Sequence, residues 1–371
     1  MFEKTKALCE SFLNMGVPFF DLLVYKDGKA LFRHSGGYVD VENKIPVKGD
    51  ELFNIYSCSK PITVTAAMQL WEQGLFDLED PLYQYMPEYR EMTVLQEDGT
   101  VAPAKNPILI RHLFSMTAGF SYDLHSPWLE QLRIDTEGRC PTREFARYLA
   151  REPLLAEPGT LYRYSLCHDV LAALVEVLSG ENFADYTRRH IFEPMGMTRT
   201  DFLKSPETYD EIATHYVFKD GKAQLRSKWP AYRLGTEHAS GGAGCVSTVE
   251  DYMKFMEGLR TFQLLKPETI DLIRLDWNKG LPAVNGINGA YHYGLGMRSR
   301  NPGTDHCDFG WGGAAGATLH VDIPHGICVF YVQHLISSPN QTIRARIYTA
   351  VLEDLGYNVS VDIPTPDDFN G

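Results

Sequence analysis

The order of predicted strands and helices is the strongest constraint that this sequence places on its fold. Apolar, strand-like runs occur near both ends of the chain, at residues 19–25, 30–32, 294–297, 317–321 and 327–333. Asp27 and Gly28 follow the first run and predict a tight hairpin, because such a turn needs residues that tolerate a positive φ. Between the strand-rich ends, residues 76–235 are dominated by helical patterns. This order predicts one sheet assembled from both ends of the chain, with a helix-rich region inserted between them.

Helical spacing of apolar residues marks the helices that would accompany this sheet. Residues 2–15 and 342–355 predict a first and a last helix, and residues 52–74 predict a buried helix that ends at Gly74. Further helices are predicted at residues 113–116, 142–151, 169–179, 183–192 and 249–259. We therefore predict an α/β (α+β) fold. Residues 1–85 and 236–371 would form a discontinuous sheet domain, and residues 86–235 a helix-rich inserted domain.

Composition excludes two classes of partner. The chain has 371 residues, of which 44% are hydrophobic and 22% charged, a balance typical of a globular protein with a large core. Its formal net charge is −13, and its basic residues form no cluster that would neutralise a phosphate backbone. No stretch reaches the roughly 18 to 20 apolar residues that span a bilayer. We predict neither a nucleic-acid nor a membrane partner.

The cysteines and the first residues bear on the compartment. Seven cysteines form an odd number without C-x-x-C spacing, which disfavours structural disulfides and a zinc knuckle. The first residues mix acidic side chains with lysines and lack the apolar segment of a signal peptide. We therefore expect a cytoplasmic protein. No sequence pattern indicates its oligomeric state.

Ser57 and Lys60 form the pattern with the clearest chemistry, an S-x-x-K set at the start of a predicted helix. This spacing places the hydroxyl and the amine on one helix face, one turn apart. A serine hydroxyl becomes a good nucleophile when a nearby base takes its proton, and a lysine can serve as that base if burial lowers its pKa. The apolar flanks of the motif predict such burial. Ser57 is therefore the candidate nucleophile, and Lys60 is its candidate base.

Other candidates near this motif and among the histidines are weaker. Ser59 is adjacent to Lys60 and would point to a different helix face, and Cys58 has no histidine at a recognisable partner position. We interpret both as packing residues. The twelve histidines include no H-E-x-x-H or H-x-H pattern, so we predict no metal site and no cofactor. The histidines that most merit inspection are His112, His168 and His320.

Four segments carry a family resemblance that extends over nearly the whole chain. They are residues 53–87 with S-x-x-K and a Gly-x-x-x-Leu-x-Asp-Pro turn, 110–119 with Ile-Arg-His-Leu and Thr-Ala-Gly, 158–165 with Pro-Gly-Thr and Tyr-Arg-Tyr-Ser, and 241–251 with Gly-Gly and Ser-Thr. Together they resemble the serine β-lactamase and penicillin-recognising family, especially class C β-lactamases and family VIII carboxylesterases. The resemblance implies a β-lactamase/transpeptidase-like fold, in which an antiparallel sheet is flanked by N- and C-terminal helices and interrupted by a helix-rich insertion.

The same resemblance implies roles for further residues. Tyr164 would be the catalytic tyrosine that relays a proton between Ser57 and the leaving group. A phenol with an ordinary pKa of about 10 can do so near neutrality if a cation such as Lys60 stabilises its ionised form. The alternative for Tyr164 is a buried core tyrosine. The backbone N–H groups of Ser57 and Ala314 would form the oxyanion hole.

Two positions depart from the β-lactamase pattern. The second motif usually reads Tyr-x-Asn, but Leu166 stands where the amide would contact an acylamino side chain. The third motif usually offers Lys-Thr-Gly or His-x-Gly, but here Trp311 precedes Gly312 and Gly313, and an indole cannot bind a carboxylate as lysine does. The glycines permit the close approach that an oxyanion hole requires, although a simple tight turn is the alternative. Family VIII esterases are similar in both positions, which favours ester substrates.

Aromatic residues in predicted loops would suit a pocket for an acyl chain or an aryl ester, although core packing is the alternative for each. They are Tyr122, Trp128, Tyr232 and Tyr291. The predicted substrate-binding residues are Leu166, Trp311, Gly312, Gly313, Tyr122 and Tyr291. The favoured hypothesis is a carboxylesterase that works through an acyl-enzyme and acts on a small-molecule ester. The alternatives are a β-lactamase, a D-amino-acid peptidase, an acyltransferase, or a catalytically silent ligand-binding or sensor homologue.

Overall fold

The computed structural model describes residues 1–203, 206–228, 232–284, 290–301, 306–357 and 359, without the side chains of 206–208. Eleven α-helices lie within these residues: α1 Glu3–Asn14, α2 Ser59–Glu72, α3 Ile110–Phe114, α4 Pro127–Asp135, α5 Thr142–Leu149, α6 Cys167–Ser179, α7 Phe183–Thr187, α8 Val249–Arg260, α9 Pro267–Arg274, α10 Gln341–Arg344 and α11 Ile347–Asp354. Shorter helical turns occupy Tyr56–Cys58, Leu82–Gln84, Pro87–Tyr89, Arg188–Phe192 and Pro206–Glu211.

Seventeen strands lie in the same described part of the chain. They are β1 Phe19–Lys26, β2 Lys29–Asp40, β3 Ile45–Pro46, β4 Phe53–Asn54, β5 Thr93–Leu95, β6 Val101–Pro103, β7 Tyr162–Arg163, β8 His215–Lys219, β9 Lys222–Arg226, β10 Val246–Ser247, β11 Ala283–Val284, β12 Tyr291–Tyr293, β13 Arg298–Arg300, β14 Phe309–Gly310, β15 Thr318–Asp322, β16 Ile327–Val332 and β17 Leu335–Ile336. Eight of them form one sheet in the order β12-β13-β14-β15-β16-β1-β2-β3. Every neighbouring pair in this sheet is antiparallel.

The two ends of the chain meet in the middle of this sheet, where β1 pairs with β16. Helices cover both faces of the sheet. Successive side chains of a strand point to opposite faces, so neighbouring residues of β16 contact different helices. Phe330 stacks on Tyr252 of α8 with ring centroids 4.3 Å apart. The next residue, Tyr331, meets Phe12 of α1 edge-on at 6.0 Å. On the α1 side, Thr5 Oγ1 donates to the Asp354 carboxylate of α11 at 2.8 Å, which ties the first helix to the last.

A small two-stranded ladder places the S-x-x-K motif against the segment that precedes α8. Strand β4 pairs with β10 in antiparallel register, with Asn54 opposite Val246. Just beyond this ladder, the Ile55 N–H donates to the Cys245 carbonyl at 3.1 Å. Helix α2 then packs against α6 of the helix-rich region. The motif therefore lies where the sheet and the helical region meet.

Several sequence predictions are confirmed in the described residues. The sheet does combine both chain ends, and the predicted hairpin forms with Asp27 and Gly28 at φ angles of 51° and 79°. The first helix and α2 also form, and Gly74 follows α2 with a φ of 74°. The eight strands of the sheet include none from residues 86–235. We keep the division into a sheet domain and an inserted domain as a proposal.

Two local predictions are wrong, and one helix and two hairpins were not predicted. Residues 294–297 are the turn between β12 and β13 rather than a strand, because Gly296 takes a φ of 79° there. The last helix is broken into α10 and α11. The middle of the chain also contains helix α4 and the hairpins β5–β6 and β8–β9, which were not predicted. Strand β8 is paired on its other side with β17, a distant partner that local patterns do not reveal.

No helix within the described residues is both long enough and apolar enough to cross a lipid bilayer. No disulfide joins the seven cysteines, all of which lie in that part of the chain.

Candidate active site

Ser57 lies in a helical turn, Tyr56–Cys58, that connects β4 to α2. The residue before it, Tyr56, has a left-handed backbone with a φ of 48°, which is uncommon for a residue with a Cβ atom. This conformation bends the chain sharply between the strand and the helix. Only 6% of Ser57 is exposed, so its hydroxyl is held among protein groups and has little access to bulk water.

The structure brings Ser57, Lys60 and Tyr164 together. Tyr164 Oη donates to Ser57 Oγ at 2.7 Å, and Lys60 Nζ lies 3.3 Å from the same oxygen. Lys60 Nζ also donates to the Gly242 carbonyl at 2.7 Å, which fixes the amine at the start of α2. The spacing of three residues on one helix face thus produces the contact predicted for Ser57 and Lys60. Tyr164 reaches the hydroxyl from the segment between β7 and α6.

Burial shifts the pKa values of both proton-handling groups. Lys60 is fully buried, which lowers its pKa from 10.5 to about 7, although the nearby Asp169 carboxylate acts in the opposite direction. Burial also raises the pKa of Tyr164 above its usual value, and the hydrogen bond with Ser57 offsets this only in part. At neutral pH a substantial fraction of Lys60 is therefore the free amine, while Tyr164 is a phenol. Near neutral pH, Lys60 is therefore able to accept a proton and Tyr164 is able to donate one.

An acidic side chain behind Lys60 was not identified from the sequence. Asp169 of α6 is 1% exposed and accepts a hydrogen bond from Ser240 Oγ at 2.6 Å. A Cβ atom built on Gly242 would lie 2.6 Å from Asp169 Oδ2 and 3.5 Å from Lys60 Nζ, so both groups crowd against this glycine. His238 Nε2 lies 3.7 Å from the other carboxylate oxygen. The sequence feature that could have identified Asp169 is an acidic residue in the first turn of a helix that is otherwise largely apolar.

The predicted oxyanion-hole segment lies next to the nucleophile segment. A Cβ atom on Gly313 would be 2.3 Å from the Ile55 carbonyl, so only glycine allows this approach. The Gly313 N–H donates to the Ala317 carbonyl at 2.8 Å, which closes a turn around Ala314. Within the described residues, the Ala314 N–H donates no hydrogen bond to the protein, as an oxyanion donor requires. Gly312 continues the turn as a bridge to Thr318.

A continuous series of aromatic rings runs past Ser57, with neighbouring ring centroids between 5.0 and 5.9 Å apart. In order, this aromatic series is Tyr56, Tyr232, Tyr122, Tyr164, Trp311 and Tyr293. Lys60 Nζ lies 4.5 Å from the Tyr164 ring centroid and 5.7 Å from that of Tyr122, so the rings also surround the amine. The series gives the site an apolar and largely uncharged lining.

Two aromatic residues predicted for the pocket, Tyr291 and Trp128, contact other groups. Tyr291 contacts the Asp308 carboxylate through its hydroxyl at 3.0 Å, and its ring faces the guanidinium of Arg298. Leu166 is 1% exposed and belongs to the hydrophobic core, as does Trp311. Trp128 is exposed and contacts Arg151. Tyr293, two residues after Tyr291 on β12, lies beside Trp311 with ring centroids 5.0 Å apart.

The rival nucleophiles have structural roles. Ser59 Oγ donates to the Tyr56 carbonyl at 2.6 Å and accepts from the Cys245 N–H at 3.0 Å. Burial raises the pKa of the Cys58 thiol, which keeps it protonated.

The inspected histidines also have structural roles. Burial lowers the pKa values of His112 and His168 to about 3, and His320 pairs with Asp308. Within the described ranges, no group of three or more His, Cys, Asp or Glu side chains is arranged to hold a metal ion.

Comparisons with known proteins identify the family to which this chain belongs. The sequence profile of the Beta-lactamase family matches residues 15–351. Protein Rv1367c of Mycobacterium tuberculosis (strain ATCC 25618 / H37Rv) is 30% identical over 73% of this chain and 70% of its own length. Esterase EstB of Burkholderia gladioli is 27% identical over 76% of this chain and 72% of its own length. The solved structure of EstCE1, a hydrolase with promiscuous acyltransferase activity, superposes with a TM-score of 0.77 at 25% identity, over 94% of this chain and 97% of that chain. The chain therefore belongs to the Beta-lactamase family, a family of serine hydrolases whose fold it shares.

Proposed function

We propose that this protein is a carboxylesterase that works through an acyl-enzyme on Ser57. The observation that carries the proposal is the pair of contacts at Ser57 Oγ, which lies 2.7 Å from the Tyr164 hydroxyl and 3.3 Å from the buried Lys60 amine. A serine held by one proton donor and one base with a pKa of about 7 is equipped for nucleophilic attack near neutral pH. A structural serine has no need of either partner.

In acylation, Ser57 Oγ would attack the ester carbonyl while its proton passes to the neutral Lys60 amine. The carbonyl oxygen would become an oxyanion bound by the N–H groups of Ser57 and Ala314. Collapse of this tetrahedral intermediate would break the bond to the alcohol, which takes a proton from Tyr164 as it leaves. Lys60 would then return a proton to Tyr164.

In deacylation, a water molecule would take the place of the alcohol and attack the acyl-enzyme. Tyr164 would take the proton of this water while its own proton passes to the Lys60 amine, and Lys60 would give that proton to Ser57 as the acid leaves. The same two residues therefore serve both half-reactions in opposite directions. If an alcohol replaced the water, the product would be a new ester, which is the acyltransferase alternative.

The ester preference rests on the two departures from the β-lactamase motifs. Leu166 offers no amide that would hold an acylamino side chain, and Trp311 offers no cation for a carboxylate. Trp311 stacks on Tyr164 at 5.9 Å and forms part of the aromatic series. Two similar proteins, Esterase EstB and the hydrolase EstCE1, support ester chemistry for this chain.

The test compares wild type with Ser57→Ala on a panel of p-nitrophenyl esters of increasing acyl length, with nitrocefin and a D-Ala-D-Ala peptide alongside. Ser179→Ala is the matched control, because Ser179 Oγ donates to the Val175 carbonyl and accepts from the Glu181 N–H near the end of α6, away from Ser57. We expect hydrolysis of esters to vanish in Ser57→Ala and to persist in the control. Ester hydrolysis by Ser57→Ala at the wild-type rate would refute the proposal, and faster turnover of nitrocefin than of esters would favour a β-lactamase.

A fluorophosphonate probe separates the enzyme from a silent homologue. We expect wild type to gain the mass of one phosphonyl group on Ser57 and Ser57→Ala to gain none. No mass increase of wild type at any pH would contradict the proposed catalytic role and support a ligand-binding protein.

A further inference from the structure

The residue that precedes Ser57 has a backbone conformation that is unfavourable for a residue with a bulky side chain. Tyr56 has a φ of 48°, in the left-handed region where a Cβ atom clashes with the following carbonyl. Glycine, or less often asparagine or aspartate, is the usual residue there. A tyrosine in this conformation persists only when its surroundings determine it. The contacts of the Tyr56 side chain should therefore explain the shape of the nucleophile turn.

The Tyr56 side chain is completely buried and makes a directed polar contact with His215. Its Oη lies 3.1 Å from His215 Nε2 on β8. His215 Nδ1 lies 3.0 Å from the Ser227 carbonyl, an acceptor only, so Nδ1 carries the proton of the neutral ring and Nε2 accepts from Tyr56. Burial lowers the pKa of His215 to about 4, which keeps this ring neutral at neutral pH.

The histidine is itself fixed by packing. Its ring stacks on His334 with centroids 4.4 Å apart, and His334 Nδ1 lies 3.2 Å from the Ala213 carbonyl. His215 begins β8, whose next residue, Tyr216, pairs with Leu335 of β17. The acceptor for the tyrosine hydroxyl is thus anchored to two strands outside the catalytic segment.

The backbone of Tyr56 is also restrained by hydrogen bonds. Its carbonyl accepts a hydrogen bond from Ser59 Oγ at 2.6 Å, and Ser59 Oγ accepts from the Cys245 N–H at 3.0 Å. One further group supports the turn: Tyr252 Oη donates to the Cys58 carbonyl at 2.7 Å. The backbone from residue 56 to residue 58 is therefore held on both sides, with Ser57 between the anchors.

We propose that Tyr56 and His215 are positioning residues of the hydrolase, which act through their shared hydrogen bond to hold the left-handed turn and so orient Ser57. The Ser57 N–H follows directly from the Tyr56 peptide, so rotation at Tyr56 would move the oxyanion donor and the nucleophile together. The oxyanion forms only in the transition state. Correct placement of the oxyanion donor and the nucleophile therefore stabilises the transition state more than it stabilises the bound ester. Loss of the bond therefore lowers kcat and leaves KM nearly unchanged. This inference rests on the proposed function.

The experiment is a double-mutant cycle with Tyr56→Phe and His215→Phe, assayed on a p-nitrophenyl ester. Tyr56→Phe removes only the hydroxyl, and His215→Phe keeps a ring to stack on His334 but removes both nitrogens. Tyr89→Phe is the matched control, since Tyr89 is 1% exposed and donates from a buried hydroxyl to the Ala146 carbonyl at 2.7 Å, outside the described site. Rates are normalised to the number of Ser57 groups that react with the fluorophosphonate, so that misfolded protein does not contribute.

We expect each single variant to lower kcat about tenfold with KM within about twofold of wild type, and Tyr89→Phe to leave kcat within about twofold. The double variant should be no more than about twofold slower than the slower single variant, because both changes remove one shared bond. Unchanged kcat in Tyr56→Phe, or multiplicative losses in the double variant, would overturn the inference. The activity of wild type in the same assay tests the proposed esterase function by itself. A failure of that function is therefore distinguishable from a failure of the positioning role of Tyr56 and His215.

Discussion

Raising the pH across neutrality should convert Lys60 from a cation into the free amine that accepts the Ser57 proton. With a pKa of about 7, set chiefly by burial, the neutral fraction of Lys60 would rise from about 9% at pH 6 to about 91% at pH 8. An ordinary lysine would be only about 0.3% neutral at about pH 8. We therefore expect kcat/KM for an ester to rise about tenfold over this interval and then to level off.

The assay is the pH profile of kcat/KM on a p-nitrophenyl ester, with circular dichroism at each pH to show that the fold persists. Lys60→Arg keeps a positive charge that cannot be removed, so it should lose about 10² to 10⁴-fold in kcat/KM across the whole profile. Lys29→Arg, at an exposed position in the β1–β2 hairpin, is the matched control and should behave as wild type. A flat profile between about pH 6 and pH 8, or a rise only above about pH 9, would refute the assignment of Lys60 as base.

Three further perturbations test other parts of the structure. Tyr164→Phe should lower kcat by about 10² to 10⁴-fold, because the leaving alcohol loses its proton donor, and an unchanged rate would exclude Tyr164 from the reaction. Gly313→Ala should reduce both activity and folding stability, since its Cβ would lie 2.3 Å from the Ile55 carbonyl; melting temperature and kcat together report it, and wild-type values for both would contradict the close approach. Acidification should destabilise the fold, because burial lowers the pKa values of His112, His168 and His238 to about 3 and the unfolded chain binds more protons below its ordinary pKa of 6.5. Stability is then complete above about pH 6.5 and falls by about 1.4 kcal/mol per histidine at about pH 5.5, measured by urea unfolding; constant stability over this range would show that these histidines are accessible in the fold.

The nucleophile and its base were predictable because their geometry is local. Ser57 and Lys60 are three residues apart on a helix, so their contact follows from helix geometry alone. Tyr164 came instead from the resemblance of its motif, since no local rule brings it 107 residues along the chain to Ser57. The sheet was also predictable in outline, because the strand-like runs at both chain ends had no partners in the helix-rich middle.

The rest of the site depends on long-range packing that local patterns do not encode. Lys60 donates to the carbonyl of Gly242, which is 182 residues away. Tyr291 and Tyr293 are two residues apart and share one face of β12, so the sequence cannot show which of them meets Trp311. The structure selects Tyr293, while Tyr291 is held by Asp308.

The pairing of β1 with β16 has a consequence for how this chain folds. Asp21 lies opposite Val332, so the central pair of the sheet joins segments about 300 residues apart and closes one of the longest loops available to the chain. Until β16 has been synthesised, β1 has the β2 hairpin on one side and an unpaired hydrogen-bonding edge on the other. Completion of the core must wait until β16 has been synthesised, and slow folding with exposure to aggregation in the interval is the expected result.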